Sequence, residues 1–167
     1  MDKKLTESIL NVCKILNKHA VQYLIAGGTA VALHGYIRMS LNSSGLPAKK
    51  YDLDFWYNPA YDNYFKLLNA LEDLGQDVSE FKDEISPDPK KSYFRLELEK
   101  FTLDFLPELN GLGRFSVAFE EREIINISET EISIIGFDDL IKNKKINARP
   151  KDITDIEQLK FIRDKKR

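Results

Sequence analysis

Tyr23-Leu24-Ile25-Ala26-Gly27-Gly28-Thr29, followed downstream by Tyr51-Asp52-Leu53-Asp54-Phe55-Trp56, decides how this chain folds. The second stretch alternates as a β-strand does. Asp52 and Asp54 therefore share one face, while Leu53 and Phe55 point the other way, into a core. Two carboxylates held close together on rigid backbone repel one another, yet the same pair suits a divalent cation, which takes hard oxygen ligands. The glycine pair ends a buried strand and opens a helix, where backbone without a Cβ can approach a bulky anion such as a phosphate. Carboxylates for a metal and a cradle for phosphate together point to phosphoryl or nucleotidyl transfer. An Asp-x-Asp alone would say less, because solvent-facing strand positions are often acidic.

Outward from these stretches, Leu5, Ile9, Val12, Cys13 and Leu16 recur at helical spacing. Residues 22–26 read as a short buried strand, 29–33 as a helix and 40–50 as a loop rich in Ser, Asn, Gly and Pro. After the Asn58-Pro59 turn, Tyr64, Phe65, Leu68 and Leu71 form the apolar stripe of a helix over 61–74, closed by Gly75. Residues 93–98 and 101–106 predict a hairpin turning at Glu99-Lys100. There Asp104 stands opposite in sense to Leu103 and Phe105, a third carboxylate facing outward for metal binding or general-base work. In that register Arg95 lies directly across from Asp104, so an ion pair competes for it. Residues 123–127 and 131–135 read as strands, the first also compatible with a helix. Residues 138–145 and 152–163 read as two helices split by Pro150.

With 167 residues, 43% hydrophobic and 31% charged, the chain fits one domain with a core large enough to fold alone. A net charge of −2 argues against a general nucleic-acid coat while allowing a local basic face. The one cysteine, Cys13, excludes a disulfide within the chain and fits a reducing cytoplasm. No apolar run approaches membrane-spanning length, and the start lacks a signal-peptide core, so a cytoplasmic protein is expected.

The combination resembles the nucleotidyltransferase superfamily, with its hydrophobic residue, Gly-Gly, and later Asp-x-Asp between hydrophobic residues. The stretch from Gly27 through His34-Gly35 and Arg38 resembles, more narrowly, a small bacterial group related to the AbiEii-type toxins. So does the tail, whose string GFDDLIKNKKINARPKDITDIEQL ends at Leu159. The loop between Arg38 and Asp52 is longer than the family's. The resemblance implies a single α/β domain over 1–167: a short mixed β-sheet flanked by helices, with a C-terminal helical tail from about residue 137. It implies transfer of an NMP from an NTP to a hydroxyl, with two Mg²⁺ ions on Asp52, Asp54 and Asp104. Gly27, Gly28 and Thr29 would hold phosphate oxygens, and Arg38 and Lys144 would offset phosphate charge. The acceptor is left open between a protein, a tRNA end and a small antibiotic. A cognate antitoxin is the partner that a toxin role implies. A non-catalytic interaction module on the same fold is the alternative from another class.

Blander roles compete at several positions. Thr29 can bond its own helix turn, and His34 reads as a packed or capping residue. Trp56 reads as core before it reads as a base-stacking ring. Asp152 and Asp155 are expected in the first turn of the last helix, favoured there by the helix dipole.

Overall fold

The computed structural model describes residues 3–37, 50–99 and 101–166, with side chains from residue 6 onward. The apolar stripe at the start forms α1 (Lys3–Lys18), and the buried run Tyr23–Ile25 forms β1. Gly27–Leu33 is α2, Tyr51–Tyr57 is β2 and Tyr61–Asp73 is α3. A single turn, Ser79–Lys82, is α4. The hairpin follows as β3 (Phe94–Glu97) and β4 (Phe101–Leu106), then the short α5 (Phe115–Glu120). A second hairpin, β5 (Glu123–Ile127) and β6 (Thr130–Ile134), leads to α6 (Phe137–Asn147) and α7 (Pro150–Lys165).

The six strands form one mixed sheet in the order β3-β4-β2-β1-β6-β5. β2 runs antiparallel to β1 and parallel to β4, while β1 runs parallel to β6. Helices flank the sheet. Single-domain α/β architecture is therefore what the chain adopts, as its pattern of elements predicts. Residues 123–127 resolve as strand rather than helix, because Ile125 pairs across to Ile132 in an antiparallel ladder. The sequence reading missed α4 and α5, which are one turn or little more and too short to show a periodicity. Residues 40–49 and Arg38 lie outside the described residues.

The core sits on the face of the sheet that Leu53, Phe55 and Tyr57 share with Leu103 and Phe105, all buried. Phe55 stacks on Phe105 with ring centroids 5.1 Å apart, and Tyr23 meets Phe55 edge-on. Burying each such ring contributes on the order of 2–3 kcal/mol. Tyr64 of α3 adds its ring beside Phe94, and α1 packs on both β6 and α3. The opposite face carries Asp52 and Asp54. Trp56 also belongs to that face, but it is buried against Phe115 of α5 and donates its indole N–H to the Pro107 carbonyl at 3.1 Å. It is a core residue.

The tail folds back as a tight pair, α6 on α7. Ala148, in the left-handed region at φ 49°, closes α6, and Pro150 opens α7 at its first position, where a missing N–H costs nothing. Inside the turn lies a buried ionic cluster. Lys144 Nζ stands 2.9 Å from both Asp152 Oδ1 and Asp155 Oδ2, with all three side chains at most 2% exposed. Arg149 adds its Nε to Asp152 Oδ2 at 2.6 Å. Burial alone would raise the Asp152 carboxyl. The Arg149 and Lys144 hydrogen bonds overcome it and hold the group at about 2. Asp155 falls in the second turn of α7, because that helix begins at Pro150, so its partner is Lys144 rather than the helix dipole. Among the described residues, no helix is long and apolar enough to cross a membrane.

Replacing Lys144 by methionine leaves two carboxylates buried without their ammonium. We expect a loss of about 3–5 kcal/mol, a fall in Tm of roughly 6–20 °C for a chain of this size. Calorimetry of Lys144→Met beside the exposed control Lys142→Met measures it. A parental Tm would show that the cluster contributes no stability.

Candidate functional site

The site begins where β1 hands over to α2. Ala26 donates its amide to the Asp54 carbonyl at 2.8 Å, fixing the glycine pair beside β2. Gly27 takes φ +59°, and a Cβ there would lie 1.9 Å from Asp54 Oδ2. Only glycine permits both the backbone and the approach. Gly27 and Gly28 are the first two residues of α2, whose N-cap Ala26 has no side chain to accept their amides. The chain thus sets a carboxylate against a helix start that its own cap does not satisfy.

Asp52 is exposed and Asp54 half-buried on the same face of β2, and parallel pairing puts Asp104 level with Asp54. Burial, then the charges of Asp104 and Asp52, push the Asp54 carboxyl up to about 6, against a smaller opposing pull from Lys144 and Lys151. Three acids therefore crowd one spot, as the spacing predicts.

Asp104 differs from expectation in one respect. It faces away from the Leu103 and Phe105 core but is only 6% exposed. Arg95 is paired with it across the β3–β4 hairpin and grips it with both arms, Nε to Oδ1 and Nη2 to Oδ2, each at 2.8 Å. Tyr93 donates its hydroxyl to Oδ1 at 2.6 Å. The ion pair foreseen from register is formed. Among the described residues, no group of three or more His, Cys, Asp or Glu side chains is arranged to hold a metal ion. Asp52 and Asp54 fit one, as adjacent hard donors whose mutual repulsion a cation would relieve. Asp104, with both oxygens engaged by a cation already, does not.

Thr29 turns its hydroxyl to the Asp52 carbonyl at 3.4 Å, tying α2 to β2 rather than bonding its own helix turn. His34 is packed, with Nε2 at 2.9 Å from the Ile135 carbonyl and its ring edge-on to Phe137. Arg38 lies outside the described residues. Lys144 acts on Asp54 electrostatically, but its ammonium is buried and committed to Asp152 and Asp155. The tail carries two further cations that act on this charge: Arg149, held charged first by Asp152 and also by Asp54, and Lys151, which pulls on Asp54 less than Lys144 does. Both crowd the same helix break as Lys144, which the resemblance singled out instead of them. Tyr93 was missed as well. Its signal was the Tyr93, Arg95 alternation, the same i, i+2 spacing that marks Asp52 and Asp54.

No protein-family profile matches the sequence, and no curated protein matches it. Among solved structures, the chain is similar to a Thermotoga maritima protein provisionally described as a nucleotidyltransferase. The TM-score is 0.50 and the identity 13%, over 98% of this chain and 94% of that one. At that identity the likeness establishes the fold alone, and it spans both chains nearly end to end.

Two outcomes follow from the Gly27–Asp54 contact and from the crowding of charge. Gly27→Ala should lose about 1–2 kcal/mol for its left-handed backbone and more for the clash. Asp54→Ala removes the two atoms closest to that Cβ, so the double variant should be more stable than additivity predicts. Urea unfolding of the four proteins measures the coupling, and strict additivity would separate Gly27 from Asp54. The second outcome concerns pH. A carboxyl raised to about 6 binds its proton more tightly folded than unfolded, so stability falls as pH rises from about 4 through 6. Asp54→Asn removes that penalty. The variant should exceed the parent by on the order of 1–3 kcal/mol at pH 7.5, with the advantage gone near pH 4.

Proposed function

We propose that this chain is a nucleotidyltransferase that moves a nucleoside monophosphate from an NTP to a hydroxyl acceptor. The acceptor oxygen attacks the α-phosphorus, and the bond to the β-bridging oxygen breaks. Pyrophosphate leaves with the electron pair, and the acceptor's proton is lost. The observation that carries this reading is the contact of Asp54 with Gly27, where a helix start without a side-chain cap meets a crowded carboxylate pair. Repelling acids beside an anion-accepting backbone make sense chiefly when a cation and a phosphate arrive together.

Asp52 and Asp54 would hold a divalent ion, of which Mg²⁺ is the expected species. When bound, that ion supplies charge neutralisation and polarisation of phosphoryl oxygens. The chain's own residues do the rest. Gly27 and Gly28 offer backbone amides to phosphate oxygens, and Thr29 fixes their helix to β2. Arg149 and Lys151 supply positive charge from the tail, so negative charge spreading over the phosphates in the transition state meets fixed donors. Lys144 positions these two by anchoring α7 through Asp152 and Asp155.

The acceptor class follows from experiment. Incubation with each α-labelled NTP, Mg²⁺ and cell extract should label one of three products: a protein, an RNA or a small molecule. Asp52→Asn with Asp54→Asn should abolish both the labelling and the rise in Tm that Mg-NTP gives the parent, since a ligand bound only to the folded state stabilises it by mass action. A parental response from that variant would refute the carboxylate assignment. Absence of transfer with every NTP, alongside tight binding of a partner protein, would identify a non-catalytic module such as one half of a toxin–antitoxin pair.

A further inference from the structure

The third carboxylate is where the chain departs from a three-acid metal centre. Both Asp104 oxygens are engaged by one planar fork, the geometry in which a guanidinium binds a carboxylate best. Oδ1 accepts a further bond from Tyr93, whose hydroxyl is pushed up to about 12, by burial first and then by Asp104, and so remains a donor. The arrangement is built into the sheet rather than improvised at the surface. Arg95 and Asp104 are directly paired on neighbouring strands, and Phe94 and Leu96 on either side of Arg95 are buried. A one-residue slip would carry Arg95 into the core, so register fixes the pair. Asp52 also acts on the Arg95 guanidinium, which places that cation within range of the carboxylate pair and not only of Asp104.

We propose that Arg95 is a built-in second cation, standing in for a second divalent ion at Asp104, so that the site takes a single ion on Asp52 and Asp54. Charge supports it. Asp52, Asp54, Asp104 and Arg95 together carry two negative charges, which one divalent ion cancels. A second ion would have to share Asp104 with a guanidinium already bound to both its oxygens and would be repelled by it. Arg95 also differs from an ion in kind. It is permanently charged and cannot deprotonate a bound hydroxyl, so it would position the acceptor side electrostatically while proton removal falls to another group.

This inference rests on the reading of Asp52 and Asp54 as an ion site, and the test separates the two. Mn²⁺ bound to the complex of the full chain with a non-hydrolysable NTP analogue is counted by electron paramagnetic resonance, with the folding of every variant checked by circular dichroism. The parent should retain one Mn²⁺. Arg95→Gln should gain a second, visible as spin coupling between neighbouring ions, and Arg95→Gln with Asp104→Asn should return to one. Arg95→Lys keeps the charge without the fork and should stay at one. Two ions in the parent, or a single ion in a folded Arg95→Gln, would overturn the inference while leaving the ion site itself intact. An equal count in the parent and in Asp52→Asn/Asp54→Asn would overturn both.

Discussion

Everything at this site depends on the absence of one carbon atom. Asp54 Oδ2 lies 1.9 Å from where a Cβ on residue 27 would be, and Gly27 holds a backbone conformation that favours glycine. The two demands coincide because β1 and β2 are antiparallel neighbours, so the chain leaving β1 must pass the middle of β2. Ala26 bonds the Asp54 carbonyl, and Thr29 reaches the carbonyl of Asp52. A carboxylate approaches an under-satisfied helix start this closely only if the turn between strand and helix is made at once, which the glycine pair allows. The short helix is thus positioned by the strand that carries the acids.

A second constraint acts from the tail. Buried ion pairs seldom add net stability over apolar packing of the same volume, because desolvation opposes the attraction. The Lys144, Asp152 and Asp155 cluster is better understood by what it fixes. It locks the two-residue turn between α6 and α7, and that turn carries Arg149, whose neighbour across Pro150 is Lys151. Arg149 is shared between the buried Asp152 and the field of Asp54. The buried cluster and the Asp52 and Asp54 carboxylates are therefore linked electrostatically, through Arg149 and through Lys144 itself.

Much of this was legible in the sequence. Period-two alternation placed Asp52 and Asp54 on one face, hairpin geometry set Arg95 opposite Asp104, and Pro150 divided the tail into two helices. Each is a local rule, and each holds in the fold. What could not be read is which of several like residues is buried. Lys142, Lys144 and Lys145 differ in sequence only by position on a helix whose apolar stripe is weak, and the identity of the buried one depends on Asp152 and Asp155 arriving from α7. Asp104 failed similarly. Alternation told which way it points and register set Arg95 across from it, but not that Tyr93 joins Arg95 in burying it, because burial on a sheet's second face depends on neighbours that no single strand specifies.

The same distinction bears on the charge beside Asp104, which a neighbouring strand supplies. Among the described residues β3 is an edge strand of the sheet, held by β4 on one side. Substitution at its outward positions leaves the apolar residues Phe94 and Leu96, and hence the register, untouched. Asp52, Asp54 and Gly27 allow no such freedom, since each is tied to the β1–β2 junction. Edge positions opposite this fixed junction can therefore change the charge beside Asp104 with little cost to the core. Under the single-ion proposal, the identity of residue 95 sets how much positive charge the centre must still recruit from solution.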